Sequence, residues 1–148
     1  MNDVELDSMI ARVRNSSKLF DGDHVLRDAP MTDTRIAELE LQRNIVLDWQ
    51  FRRFLKTYGA GDFLYSWVDS FDPESEWSLW RQSQFVDGIG QSILPFSDNG
   101  CGDYYVFMLV DGKCTSQVYW LDHEQGYTLA ESEHEDFNSF IVATALKS

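Results

Sequence analysis

Cysteine is nearly absent from this sequence: Cys101 and Cys114 are the two thiols in 148 residues. Two cysteines cannot form a disulfide framework, and their neighbours form no CxxC pair, so a zinc ribbon is unsupported. Long apolar runs are also missing. Tyr104 to Val110 is among the longest, far short of the roughly 18 residues of a membrane helix. Basic residues are scarce, at 12 against 25 acidic ones, for a formal net charge of −13. This argues against binding nucleic acid or an anionic membrane, because phosphate contacts need clustered Lys and Arg. The start of the chain carries Asp3, Glu5 and Asp7 where a signal peptide would be positive. A soluble, reducing, cytoplasmic setting is the simplest expectation.

Apolar residues make up 43% of the chain and aromatics 14%, which excludes a wholly disordered or collagenous protein. The length suits one domain, able to bury a core without disulfides or a structural metal. The charge is unevenly spread. Residues 59–136 hold fifteen acids and two bases, Arg81 and Lys113, a net of −13, while the remainder balances to zero. Such asymmetry fits either a solvated acidic surface or a face that steers a basic partner into place.

Leu6, Met9, Ile10 and Val13 have the i, i+3, i+4, i+7 spacing of a short amphipathic helix over 3–14. Residues 15–33 read as irregular, with a turn at Asp21-Gly22-Asp23. Thr34 is the expected cap of a helix over 35–43. A further helix is expected over 48–58, with Phe51, Phe54, Leu55 and Tyr58 inward, Arg52, Arg53 and Lys56 outward, and Gly59-Ala60-Gly61 ending it. Phe63 to Val68 reads as a strand. Asp72-Pro73-Glu74 reads as the start of a helix reaching about Gln84, with Gly88 to Gly90 breaking it. Strands are expected at 93–96, 103–110, 115–121 and 127–130, with Asp111-Gly112 as a two-residue hairpin turn. Ser132-Glu133-His134-Glu135 has the form of a capping box opening a final helix with Phe137, Phe140, Ile141, Thr144 and Ala145 on one face. Helices, a meandering antiparallel sheet and a closing helix make an α+β fold.

Catalytic signatures are weak. Asp122-His123-Glu124 is the most reactive-looking tripeptide, but no HxxxH or HExxH pair supplies further metal ligands. Cys101 with His123 would make a thiolate pair, yet Cys101 sits in a glycine-flanked loop and reads more simply as a small apolar residue. Asp98-Asn99-Gly100 is a fragment of a calcium loop without its remaining ligands. The glycine signatures of dinucleotide, phosphate and hydrolase sites are absent. No catalytic residue, metal or cofactor is assigned. The aromatics Trp67, Trp77, Trp80 and Phe85 lie in or beside an acidic stretch, and fit either a cover for the sheet or a recognition patch.

Four stretches together resemble the SUKH superfamily, which includes fungal Smi/Knr-type cell-wall-synthesis regulators and many bacterial immunity proteins. The first runs from Thr34 to Glu40 and on through Leu47-Asp48-Trp49-Gln50-Phe51-Arg52-Arg53-Phe54-Leu55 to Tyr58-Gly59-Ala60-Gly61. The others are Leu94 to Tyr105, Val118 to Glu124, and Phe137-Asn138-Ser139-Phe140. Asp48 stands where the family has proline, and it can cap the helix itself. The resemblance covers residue 33 onward, leaving 1–32 as an N-terminal helix and lead-in, and 62–92 reads as an insertion specific to this chain. It implies a twisted antiparallel sheet packed by helices, and no enzymatic activity.

It also implies a role in neutralising a cognate secreted toxin, nucleases and other nucleic-acid-directed enzymes being common targets; the acidic half of this chain would then be the binding surface, and a basic toxin surface is expected to meet it. The alternatives are a regulatory or scaffold module of the cell-wall-regulator type, and a small-molecule or enzyme domain with a pocket near His123 or Cys101. Candidate partner-binding residues are Asp72, Glu74, Glu76, Trp77, Trp80, Asp98, Asp103, Asp122 and Glu124. Charge of one sign disfavours tight self-association through the acidic face, so a monomer or weak dimer is expected.

Overall fold

The computed structural model describes residues 1–16, 27–82, 92–126 and 128–147. Helix α1 spans Asp3–Ser16, α2 Asp33–Arg43 and α3 Trp49–Thr57. A small hairpin follows, β1 at Gly61–Phe63 and β2 at Ser66–Val68. The main sheet comprises β3 (Ile93–Asp98), β4 (Tyr104–Val110), β5 (Lys113–Asp122) and β6 (Thr128–Glu131), antiparallel and in sequential order. Helix α4, Phe137–Thr144, closes the chain. The fold is α+β, as the pattern of elements predicts.

One face of the sheet carries the core. Alternation along β4 turns Tyr105 and Phe107 to the helices and Tyr104 and Val106 to the opposite face. Phe51 of α3, Phe96 of β3, Phe107 of β4 and Phe137 of α4 meet with ring centres 4.5 to 5.8 Å apart in their closest pairs. On the opposite face Ile93, Val106 and Leu121 form a second, smaller cluster with Tyr104, Tyr119 and Leu129. Helix α1 docks through Leu6 and Ile10, and its Asp7 accepts the Tyr58 hydroxyl at 2.6 Å and pairs with Arg53. The outward bases of α3 are thus not free: Arg52 pairs with Asp33 at 2.7 Å and Glu40 at 3.3 Å, and Lys56 with Asp33 at 2.9 Å.

Several local expectations are corrected. The cap of α2 is Thr32, not Thr34; its hydroxyl accepts the Arg35 N–H at 3.1 Å, and Thr34 lies inside the first turn. Phe63 to Val68 is not one strand: Phe63 ends β1, the chain folds back at Leu64, whose φ is 52°, and β2 returns over Ser66–Val68. The expected helix from Asp72-Pro73 does not form over the described residues; a 3-10 turn at Leu79–Gln82 is all that appears. Side chains capture the backbone there instead. Ser70 accepts the Asp72 N–H, Asp72 that of Glu74, Ser75 that of Trp77 and Ser78 that of Trp80, at 2.9 to 3.2 Å. Four such short turns compete with helical bonding. Ser132 is not a helix cap either: its hydroxyl donates to the Val118 carbonyl at 2.7 Å and accepts the His134 N–H at 3.1 Å, while Asp136 caps α4. The expected turn at 21–23, the end of the helix at 83–84 and the glycine break at 88–90 lie outside the described residues.

The hairpin turn between β4 and β5 matches its sequence. Asp111 and Gly112 have φ of 51° and 78°, as a turn with two positive φ values demands. A side chain at Gly112 would also place Cβ 2.5 Å from the Asn44 carbonyl oxygen, so only glycine fits where α2 hands over to this hairpin.

Asp48 caps α3 by accepting the Phe51 N–H at 3.0 Å. Burial pushes its carboxyl up to about 6, against hydrogen bonds from Phe51 and Gln50 that favour the charge. Because the folded value exceeds the unfolded one, the folded state binds more protons between 3.8 and about 6, and stability falls as pH rises through that window. Asn caps as well as Asp and carries no charge. Asp48→Asn is therefore expected to raise stability near neutral pH by about 1–3 kcal/mol, with the gain shrinking as pH falls through about 6 and gone below about 4. Urea unfolding of both proteins across pH checks this; equal stability at neutral pH would contradict it.

Candidate functional site

The nine candidate residues fall into two groups. Asp98, Asp103, Asp122 and Glu124 gather at one end of the main sheet, where the β3–β4 loop meets the β5–β6 turn. Asp72, Glu74, Glu76, Trp77 and Trp80 lie on the segment that follows β2 and packs beside α2.

The sheet-end loop is built by short polar side chains. Asp98 accepts the Gly100 N–H at 2.7 Å, and Asn99 Oδ1 accepts the N–H groups of Cys101 and Asp103 at 2.8 and 3.2 Å. Asn99 Nδ2 donates to Asp103 Oδ2 at 2.9 Å. The other Asp103 oxygen accepts the His123 N–H at 2.9 Å and pairs with His123 Nδ1. A Cβ at Gly102, whose φ is 104°, would sit 3.1 Å from the His123 ring, so a bare glycine lets the loop close onto the imidazole. The β5 strand ends at Asp122, and His123–Gln125 turns as a 3-10 helix capped by the Asp122 carboxylate through the Glu124 N–H at 2.9 Å. Strand alternation therefore does not govern Asp122, His123 and Glu124.

Burial works to raise the Asp103 carboxyl, but the hydrogen bonds from His123 and Asn99 outweigh it and hold the group below the usual carboxylate range. The hydrogen bond to Asp103 raises His123 above its ordinary value against a smaller effect of burial, and Glu124 and Asp122 add to the rise. Donor atoms of Asp103, Asp122 and His123 lie within 4.8 Å of one another. The Asp103 carboxylate and the imidazole already engage each other, so a cation would have to break that pair to bind. Cys101 is exposed, while burial pushes the Cys114 thiol up to about 12.

In the second group much of the charge is already answered. Asp72 receives Arg35 through Nε at 3.2 Å and Nη2 at 3.0 Å, and Glu74 lies 3.8 Å from the same guanidinium. The Arg35 bond holds Asp72 below the ordinary carboxylate value. Trp80 donates to the Phe71 carbonyl at 2.8 Å and lies under Arg43, 4.1 Å from the ring centre. Trp77 and Trp80 are half-buried against the core. Glu76 is exposed. An open cleft of about 390 Å³ adjoins this group, between the 28–32 lead-in and residues 70–75, with the Arg35–Asp72 pair in its wall. Trp67 borders the sheet-end loop, its ring 3.5 Å from where a Gly100 Cβ would lie. Phe85 lies outside the described residues.

The sequence profile of the SMI1/KNR4 family (SUKH-1) matches residues 30–142. The chain belongs to that family. The chain is similar in structure to a protein from Pseudomonas syringae pv. tomato, with a TM-score of 0.69 and 18% identity over 96% of this chain and 99% of the other. That likeness is one of fold. No curated protein matches the chain. Among the described residues, no helix of this family member is long and apolar enough to cross a membrane.

One residue of interest was not singled out from the sequence. Trp49, the first residue of α3, is largely exposed. It precedes Arg52 by three positions and Arg53 by four, so it lies on the polar side of the helix, opposite the Phe51, Phe54 and Leu55 stripe. An indole on the wrong side of an amphipathic helix was the available signal.

The Asp103–His123 pair has a defined pH signature. With His123 raised, its contribution is complete below the ordinary imidazole value of 6.5 and is lost as pH rises through the folded value. With Asp103 lowered, its contribution holds above the ordinary 3.8 and is lost as pH falls through the folded value. NMR titration of His123 is expected to give a midpoint above 6.5, falling toward 6.5 in Asp103→Asn. An unshifted midpoint in the variant would contradict the pairing.

Proposed function

We propose that this SUKH-1 protein is an immunity protein that binds and neutralises a cognate secreted toxin without catalysing a reaction. The observation that carries the reading is where charge is left unanswered. The bases Arg35, Arg52, Arg53 and Lys56 are committed to internal pairs with Asp72, Asp33, Glu40, Asp3 and Asp7. Among the described residues, no ion pair reaches Asp98, Asp122 or Glu124 at the sheet end, nor Asp62, Asp111, Glu131, Glu133 or Glu135 elsewhere in the acidic segment. Asp103 and His123 position the loop rather than offer charge to a partner.

A toxin that acts on nucleic acid needs a basic path for phosphate. A rigid acidic loop can occupy that path, gaining association rate from long-range attraction and specificity from charge register. The internal bonds of Asn99 and Asp103 hold the loop in place before binding, which lowers the ordering cost on association.

The test is co-expression with the polypeptide encoded beside this protein, itself first assayed for toxicity, followed by binding kinetics on the purified pair. Rescue of the cells and a complex that weakens with salt are expected. Asp98→Lys combined with Asp122→Lys should slow association roughly tenfold or more at low salt and flatten the salt dependence, while Glu5→Lys on α1 leaves both unchanged. An unchanged rate and salt dependence in the double variant would contradict the assignment of the sheet end.

A further inference from the structure

The face of the main sheet turned away from the helices carries more than an apolar cover. Ile93, Val106 and Leu121 are buried there, and Tyr104, Tyr119 and Leu129 pack on them while staying partly exposed. Among the described residues, no helical side chain belongs to this cluster. Strand register fixes which neighbours share the face, because residues directly opposite in an antiparallel pair point to the same side. Asp98 opposes Tyr104, which in turn opposes Leu121. In the next row Val106 opposes Tyr119, which opposes Glu131. Each tyrosine of this face therefore has a carboxylate residue directly beside it, with Cβ atoms about 5 Å apart.

The two tyrosine–acid pairs form a defined pattern. The acids stand on the edge strands β3 and β6, about 14 Å apart across the sheet, and the tyrosines stand on the central strands β4 and β5, diagonal to each other at about 7–8 Å. Glu131 is exposed, and Asp98 uses one oxygen to accept the Gly100 N–H at 2.7 Å. Packing on the buried cluster restrains the tyrosine rings before anything covers them, which lowers the ordering cost of a contact. A carboxylate beside an aromatic face suits a guanidinium in particular. Its planar surface stacks on the ring while its N–H fork meets the carboxylate, whereas an ammonium is a compact point charge that cannot stack. A second copy of this chain is a poor occupant, because it would bring its own charge of −13 to these acids.

We propose that this outer face of the sheet reads arginine: it docks a basic protein surface through two guanidinium groups, one at Tyr119 and Glu131 and one at Tyr104 and Asp98. Arginines at i, i+2 on a strand or i, i+4 on a helix have Cβ atoms roughly 6–7 Å apart and match the diagonal between the tyrosines. The inference rests on the toxin reading above for the identity of the partner alone. Asp98 belongs to both surfaces, so the face continues the acidic sheet end and adds side-chain specificity to its long-range attraction.

NMR shift mapping on the full chain at low salt tests this, with a tetra-arginine peptide as the probe and a tetra-lysine peptide as the comparison. The largest shifts are expected at Asp98, Tyr104, Tyr119 and Glu131, and the arginine peptide should bind roughly threefold or more tightly than the lysine peptide. Tyr119→Leu keeps an apolar side chain on the buried cluster and removes the aromatic face; it should bring the arginine peptide down to the affinity of the lysine peptide. Glu131→Gln, at an exposed position, should weaken both peptides, and Glu76→Gln, away from the sheet, neither. Circular dichroism checks that each variant folds. Shifts scattered over the other acids with none concentrated on this face would overturn the proposal, as would an arginine preference that survives Tyr119→Leu. The peptide map is independent of the toxin: a neighbouring polypeptide that is harmless or does not bind sinks the toxin reading and leaves the map standing, while a scattered map sinks the face even where co-expression rescues the cells.

Discussion

The packing of Phe51 against Phe96, Phe107 and Phe137 joins α3, strands β3 and β4, and α4 in one contact, and the rest of the structure is arranged around it. Phe96 and Phe107 stack at 4.5 Å across β3 and β4, so the sheet enters the core as a paired unit. Phe140 meets Phe96 edge-on at 5.0 Å and Tyr105 at 4.8 Å, extending the same cluster toward the end of the sheet that bears the polar loop. Phe54 and Tyr58 carry it the other way, to Phe63 of the small hairpin and, through the Tyr58 hydroxyl, to α1. Aromatic pairs of this kind add about 0.5–1.5 kcal/mol each beyond the area they bury. A core so held can tolerate a surface that repels itself.

That tolerance matters for function, because the charge is segregated rather than mixed. The helical half pairs its bases with its own acids and with Asp72, so its surface is close to neutral. The acids beyond β2 receive few such partners. Function in this reading follows from electrostatic asymmetry on a rigid scaffold, not from a reactive centre. The Asn99–Asp103–His123 bonds tie the loop between β3 and β4 to the turn after β5, so acids distant in sequence share one surface.

Much of the fold was legible because its cues are local. The Phe51, Phe54, Leu55 stripe, the Asp48 cap and the Asp111-Gly112 turn each depend on residues a few positions apart. The misread segments are also instructive. Asp72, Ser75, Ser78 and Ser132 are residue types that cap helices, but the same short side chains close tight turns, and the choice is made by tertiary contacts such as Ser132 on Val118. The hairpin at 61–68 was hidden because its turn uses Leu64 rather than glycine or asparagine. At the site, the acids were visible as composition. Their division into answered and unanswered charge was not, since Arg35 meets Asp72 across 37 positions and His123 meets Asp103 across 20. Trp49 was readable from helical phase alone.

The most direct test of the central claim is hydrogen–deuterium exchange of this protein free and bound to the proposed toxin partner. The account predicts new protection in the peptides covering 98–103 and 122–126, at the acidic end of the sheet. Protection elsewhere, with both of those peptides exchanging as in the free protein, would contradict it.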